Sequence, residues 1–145
     1  MSCIRFNTAA QRDAMAAGPL DAADAAVLHL SPPVTESKIV RLRLLAEHAR
    51  PGIRQSVASN RHAPADLLER LAADAAPEVR GEVARNESAA PALVARLAED
   101  PDPRVRCWAV LNPVLPEEAA RTMAADPDPQ VARLAGWRAG VSQPV

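Results

Sequence analysis

The sequence predicts an all-α protein built as an α-solenoid of about four two-helix repeats. Aromatic residues make up only 2% of the 145 residues and tyrosine is absent, so the core must consist of Ala, Leu and Val, which suit close-packed helices. Apolar residues recur every 26 positions, at Ile53, Val79, Val105 and Val131. Asparagines recur with the same period, at Asn60, Asn86 and Asn112. Such a fixed period is typical of a repeat protein. Four units begin near Lys38, Pro64, Ala90 and Pro116 and cover about 104 residues.

The first helix of each unit is clearest in the third repeat, in the segment PALVARLAED. An apolar stripe with the spacing of one helical face follows Pro91, a residue that favours the first position of a helix. The stripe consists of Leu93, Val94, Leu97 and Ala98. We therefore expect an α-helix here and at the equivalent positions of the other units.

The second helix of the unit is predicted from PDPRVRCWAVLN. Asp102 is a suitable N-cap, Pro103 suits the first helical position, and Val105 and Ala109 share one face. Asn112 is predicted to end the helix, because asparagine tolerates the left-handed conformation found at helix ends. The segment is short enough to be partly 3₁₀.

Stacking is required because a unit this small cannot cover its own apolar stripe. The asparagines at positions 60, 86 and 112 are interpreted as turn and cap residues. A ladder of charges is expected from Asp74 with Arg80 and from Asp100 with Arg106, since each pair is separated by six residues and can bridge the turn between two helices. The fourth unit has Asp126 but Ala132, and the first has Arg54 but His48.

Three segments are expected along the chain. Residues 1–37 do not follow the period and are predicted to form an N-terminal helical cap, with one or two helices ending at Pro32-Pro33. Residues 38–141 form the four-repeat solenoid, and residues 142–145 are a C-terminal tail. Neither a signal peptide nor a membrane helix is recognisable. Two cysteines far apart in sequence provide neither a disulfide framework nor a metal cluster, so a cytoplasmic location is expected.

The repeat resembles the leucine-rich repeat variant family, a bacterial relative of HEAT-like repeats. The hallmark of that family is a Leu-rich first helix, an Asp-Pro-Asp-Pro turn, Val-Arg, and then Val-Ala-x-Asn-Pro, and residues 93–113 match it. The likeness covers residues 38–141 or so and implies a right-handed superhelix with an α-helix and a short 3₁₀-type helix per repeat. Founding members also carry a cysteine cluster for an iron-sulfur centre ahead of the repeats. Only Cys3 occupies that region, so no cofactor is expected.

The candidate binding site lies where the copies differ. If Val79 and Val83 point into the stack, positions 81, 82 and 85 and their equivalents point outward. This column changes from polar to apolar along the chain. Its partner-binding members are predicted to be Glu82, Arg85, Trp108, Leu111, Arg133, Leu134 and Trp137. The alternatives are that the C-terminal segment RAGVSQPV folds over the tryptophans or that a second copy of the chain covers them.

Catalytic and metal sites are not predicted. His29, His48 and His62 lack metal-binding spacing, and the acidic pair Glu117-Glu118 favours a helix N-terminus instead of catalysis. With only five glycines, the chain has no Gly-rich phosphate loop, and nucleophile motifs are absent as well. We therefore expect a protein that is not an enzyme and binds no metal.

Three functions follow from these observations. The leading hypothesis is a non-catalytic module or adaptor that binds another protein or peptide on its second-helix, concave face. A second hypothesis is a nucleic-acid-binding HEAT-like protein, in which a tryptophan stacks on bases and arginines bind phosphates. Such a protein could also be a glycosylase-like enzyme. Those arginines are Arg85, Arg104, Arg133 and Arg138. The formal net charge of −1 argues against it. A third is a structural accessory subunit or homodimer.

Overall fold

A computed structural model of the chain describes residues 35–141, all of which belong to one compact unit. Regular structure in that range is helical, with eight α-helices, one 3₁₀ helix and no strand. The elements are α1 Glu36–Leu45, α2 Pro51–Ala58, α3 Ala65–Leu71, α4 Pro77–Arg85, α5 Pro91–Leu97, α6 Pro103–Leu111, α7 Glu117–Thr122, η1 Met123–Ala125 and α8 Pro129–Val141. The predicted all-α class is confirmed. Residues 1–34 of the predicted cap and the tail 142–145 lie outside the described residues.

The helices follow the 26-residue period as pairs. The second helices α2, α4, α6 and α8 begin at Pro51, Pro77, Pro103 and Pro129. Proline suits these positions because its fixed φ is helical and the N–H it lacks would have no partner in the first turn. All four second helices are α-helical, whereas the 3₁₀ turn η1 closes the first helix of the fourth repeat. Residues 138–141, the first part of the segment that in one alternative folds over the tryptophans, extend α8.

The core runs along the interface between the two layers of helices. Val79, Val105 and Val131 are at most 1% exposed, as their common position in the repeat predicts. Ile53, the equivalent residue of the first repeat, is only half-buried. Successive second helices pack against one another from α2 to α8, forming what we call the second-helix row. Burial of each valine contributes about 1.5–3 kcal/mol to the free energy of unfolding. Because the second helices that carry these valines pack against one another, each repeat depends on its neighbours for stability.

The asparagines form a ladder between repeats. Nδ2 of Asn112 donates to the carbonyl oxygens of Ala84 at 2.7 Å and Asn86 at 3.2 Å, both in the preceding repeat. Asn86 makes the same pair of bonds one repeat earlier. Oδ1 of Asn112 accepts the backbone N–H of Val114, which closes the turn. Asn60 shares only the turn-closing bond, to the N–H of His62.

The predicted left-handed conformation at these asparagines is wrong. Asn86 ends α4 with φ −71° and ψ 116°, and Asn112 ends α6 with φ −72° and ψ 126°, which is extended backbone. The side chain of each residue reaches the carbonyl groups at the C-terminal end of the preceding second helix, where unsatisfied acceptors remain. The turn therefore depends on the amide group of the side chain and not on tolerance of positive φ.

The charged ladder also joins repeats. Arg80 donates from Nε and Nη2 to the carboxylate of Asp100 at 2.7 and 2.9 Å, a bidentate contact 20 residues along the chain. Arg106 pairs with Asp126 in the same way. The expected contact of Arg80 within its own turn is made, but to the carbonyl oxygen of Asp74 and not to its carboxylate. That carboxylate accepts two bonds from the guanidinium of Arg54 in the preceding repeat, so the predicted carboxylate partners were wrong.

This register explains why the ladder stops where it does. Each arginine reaches forward to the aspartate of the next repeat, so Arg54 needs no aspartate at position 48 and Asp126 needs no arginine at position 132. The sequence has His48 and Ala132 at those two positions. Three arginine–aspartate pairs therefore join the four repeats. The carboxylate of each pair, on Asp74, Asp100 or Asp126, is bound by the guanidinium of the preceding repeat.

Arg138 takes the place of asparagine in the last repeat. It lies 26 residues after Asn112, and its Nη1 donates to the carbonyl oxygens of Val110 at 2.7 Å and Asn112 at 2.6 Å. These acceptors are equivalent to those that each asparagine uses. Nη2 also donates to the carbonyl oxygen of Leu115. The ladder therefore continues into α8 although the residue type changes.

Candidate functional site

The outward column of the second-helix row carries the exposed apolar residues that the sequence indicated. Trp108, Leu111 and Trp137 are 42%, 41% and 63% exposed, and Leu134 is half-buried. We call these four residues the tryptophan face. They come from α6 and α8, which are neighbours in the second-helix row. A surface of adjacent apolar side chains of this kind is typical of an interaction site.

Gly81 departs from the predicted outward pattern, because it is buried beneath Trp108. A Cβ atom added at Gly81 would lie 3.3 Å from Cδ1 of the indole. The ring therefore rests on the backbone of α4, where any larger residue would push it away. Arg85, one turn later on α4, places its guanidinium carbon 5.1 Å from the centroid of the ring. This cation–π contact and the glycine hold Trp108 in place while leaving part of its ring exposed.

A cavity of about 400 Å³ lies along the tryptophan face. We call it the apolar cavity, and its walls include Trp108, Leu111, Leu134 and the half-buried Cys107. Burial raises the pKa of the Cys107 thiol, so this side chain acts as an apolar wall and not as a thiolate. Trp137 lies three residues after Leu134 and thus on the same side of α8.

The predicted site residues divide into two groups in space. Glu82 accepts a hydrogen bond from Nε2 of Gln55 at 3.3 Å and lies 3.8 Å from the guanidinium of Arg85. Together Glu82 and Arg85 line a polar cavity of about 610 Å³ toward the first repeat, with Ser59 and Arg61. The tryptophans belong to the C-terminal half of the row. Trp108 joins the two groups, because it contacts Arg85 and lines the apolar cavity.

The arginines suggested for phosphate binding differ in how far their guanidinium groups are already bonded within the protein. Arg138 binds three carbonyl oxygens of the preceding repeat. Arg104 contacts both carboxylate oxygens of Asp102, and its guanidinium lowers the pKa of that carboxyl to about 2. Arg133 is exposed, and no carboxylate within residues 35–141 pairs with it. A continuous row of phosphate-binding arginines is therefore not formed.

Among residues 35–141, no group of three metal-ligating side chains converges. Glu117 accepts a bond from Arg121 one turn later, as an exposed helical ion pair does. None of the helices in residues 35–141 has both the length and the apolar character needed to cross a bilayer.

Two further exposed apolar residues were not anticipated from the sequence. Val40 and Leu44, on α1, are 50% and 67% exposed. They are one helical turn apart, on the first helix of the first repeat. Because they lie outside the second-helix row, they provide a comparison surface for experiments on the tryptophan face.

The stacked helix pairs and their ladders define an α-solenoid repeat protein. The sequence model of one family, leucine rich repeat variant, matches residues 51–76 and 103–128, and the resemblance noted in the sequence is thereby confirmed. The two matched stretches begin at α2 and α6 and enclose one further repeat, residues 77–102, with the same geometry. No curated protein and no solved structure matches the chain.

Proposed function

We propose that this chain is a non-catalytic adaptor that binds a segment of another protein on the tryptophan face. The observation that carries the proposal is the position of Trp108, Leu111 and Trp137, which are exposed in the outward column of two adjacent repeats. Tryptophan is enriched among the residues that dominate protein interfaces. Helical repeats also commonly offer one face of the stack to a partner. In this proposal the protein works in the cytoplasm.

The surroundings of Trp108 support a binding role. An apolar residue that merely completes the core would be covered, whereas Trp108 is seated on Gly81 with part of its ring left accessible. A side chain held in place before binding loses less conformational entropy on association. The adjoining apolar cavity of about 400 Å³ has room for one or two apolar side chains of a partner.

The experiment is capture of partners from a lysate of cells that naturally make the protein. Trp137→Glu is the preferred variant because Trp137 is the most exposed member of the tryptophan face, so its replacement should leave the core intact. Leu44→Glu is the matched control, since Leu44 is exposed to a similar extent on α1. Circular dichroism should show that both variants are folded.

We expect a protein that is retained by the wild type and by Leu44→Glu but lost with Trp137→Glu. Retention of the same protein by Trp137→Glu would show that the tryptophan face is not the binding site. A doubled solution mass that depends on Trp137 would instead identify a homodimer. The recovery of nucleic acid alone would favour the nucleic-acid-binding hypothesis.

A further inference from the structure

The charges beside the tryptophan face are unequal in accessibility. Arg104 and Arg85 have side chains that are 76% and 60% exposed, and Arg133 is exposed next to Leu134. Of the nearby acids, Glu82 and Asp102 are only 20% and 19% exposed and Asp128 is half-buried, whereas Glu78 is exposed beside Arg104. The face therefore presents guanidinium groups outward although the chain as a whole has a formal charge of −1.

Two of the acids beside this face, Asp102 and Asp128, are also occupied by bonds within the chain. Asp102 binds Arg104 and caps α6. Asp128 accepts the backbone N–H groups of Gln130 and Val131 at the start of α8. A carboxylate with its oxygens satisfied in this way repels an approaching anion less than a free one. The guanidinium of Arg133, with which no carboxylate of residues 35–141 pairs, attracts it.

We infer that the segment bound on the tryptophan face is an acidic peptide, with apolar side chains for the cavity and carboxylates on either side of them. This inference rests on the proposed function and specifies the chemistry of its partner. The apolar residues of the peptide contact Trp108, Leu111 and Leu134. Its carboxylates pair with Arg133 at one end of the face and with Arg85 at the other.

A peptide fits these residues better than a nucleic acid does. The apolar part of the cavity, formed by Cys107, Trp108, Leu111 and Leu134, suits an aliphatic side chain. Pro103, Arg104, Asp128 and Gln130 complete its lining. A phosphate backbone would need a longer series of cations, whereas Arg138 is engaged with carbonyl groups of the preceding repeat. A few exposed arginines around an apolar centre match a short segment with a few carboxylates.

The test is selection from a library of random 12-residue peptides displayed on beads, followed by sequencing of the retained pool. We expect wild type to retain peptides rich in Asp and Glu around one or two large apolar residues. Arg133→Glu should shift the retained pool toward Lys and Arg, because the sign of the local charge is reversed. Leu44→Glu, the control, should leave the composition of the pool unchanged.

The strength of the effect is measured with one peptide from the retained pool. Arg133→Gln should weaken its binding about two- to fivefold, as expected for the loss of one exposed ion pair. Added salt should weaken binding to the wild type more than binding to this variant. The fluorescence of Trp108 and Trp137, the only two tryptophans, reports the binding directly.

The outcomes separate this inference from the proposed function. If the retained peptides depend on Trp137 but are not acidic, or if Arg133→Glu leaves their composition unchanged, the inference is wrong and the proposed function stands. If no peptide is retained, or if retention does not depend on Trp137, both fail. If the protein binds a 12-nucleotide oligothymidylate more tightly than the peptide, and if this binding depends on Trp137, the inference is overturned in favour of nucleic acid.

Discussion

Replacing Asn112 with aspartate tests whether the asparagine ladder stabilises the stack through its donors. The substitution keeps the size of the side chain and leaves an oxygen to accept the N–H of Val114. The second oxygen replaces Nδ2 and faces the carbonyl oxygens of Ala84 and Asn86, which Nδ2 contacts at 2.7 and 3.2 Å. The site is only 2% exposed, so water does not compensate for the lost bonds.

The magnitude follows from two contributions. Two donated hydrogen bonds are lost, each worth about 1 kcal/mol. Burial beside two carbonyl oxygens raises the pKa of the introduced carboxyl, and a rise of about two units adds about 3 kcal/mol at neutral pH. The free energy of unfolding should therefore fall by about 5 kcal/mol at pH 7. Because the pKa is raised in the folded state, the second contribution disappears as the pH falls through that pKa toward the unfolded value near 4.

The assay is urea denaturation followed by circular dichroism, at pH 7 and at pH 4, with wild type measured at each pH. Asn60→Asp is the matched control. Within residues 35–141 the amide nitrogen of Asn60 has no acceptor, and its oxygen accepts the N–H of His62 as an aspartate oxygen would. The control should lose less than about 0.5 kcal/mol.

Two results would refute the reasoning. A loss for Asn112→Asp within about 1 kcal/mol of that for Asn60→Asp at pH 7 would mean that the donated bonds contribute little. A large loss that persists unchanged at pH 4 would mean that strain, and not a buried charge, destabilises the variant. Should Asn112→Asp be unfolded at pH 7, Asn112→Ala removes the two donated bonds and the bond accepted from Val114 without adding a charge, with an expected cost of about 3 kcal/mol at either pH.

Three further predictions concern the ladders. Asp100→Ala should lower the free energy of unfolding, measured by urea denaturation, by about 2–4 kcal/mol, because it leaves the largely buried guanidinium of Arg80 without its partner. Glu69→Ala removes an exposed ion pair and should cost less than about 1 kcal/mol. Equal losses would contradict the role assigned to burial. The Arg106 guanidinium lowers the pKa of Asp126, so the pair stabilises the fold above the unfolded pKa near 4 and stops doing so as the pH falls through the folded value. The loss caused by Arg106→Gln should accordingly shrink between pH 7 and pH 3, and a constant difference in urea midpoint would argue against this pairing. Arg138→Ala should speed amide hydrogen exchange in α8 more than in α4, because it removes three hydrogen bonds that join α8 to the preceding repeat. An equal change of exchange rate in the two helices would mean that these bonds are not needed.

The repeats were predictable because the packing of each one depends on the same few positions. Val79, Val105 and Val131 occupy equivalent sites, so their 26-residue spacing in the sequence states directly which side chains are buried. Prolines at the starts of the second helices gave the helix boundaries for a similarly local reason. Such features need no knowledge of the neighbouring repeat.

Contacts between repeats were harder to predict for a specific reason. Asp74 lies six residues before Arg80 and Asp100 lies 20 residues after it, and these two separations add up to one 26-residue period. The two aspartates are thus equivalent by sequence, and only the three-dimensional register distinguishes them. Arg138 escaped notice because it replaces the asparagine amide with a different donor.

The tryptophan face was predictable in outline only. Helical periodicity placed Trp108 and Trp137 on the outward side, and both are exposed. The support given to Trp108 by Gly81 and Arg85 depends on how a side chain leans toward the preceding repeat, which periodicity does not specify. A glycine in the middle of a predicted helix was the available signal, since it usually marks a close approach of another group.

The register of the ladders also bears on how genes of this kind change length. Arginine and aspartate are joined across 20 residues, and the asparagine amide reaches back 26 and 28 residues. In-frame duplication or deletion of one 26-residue segment would restore every one of these pairings at the new junction, whereas a change of any other length would break them there. Unequal recombination between the repeated coding segments can therefore add or remove whole repeats without breaking the contacts between repeats. Selection can change the length of the second-helix row in this way while the ladders stay intact.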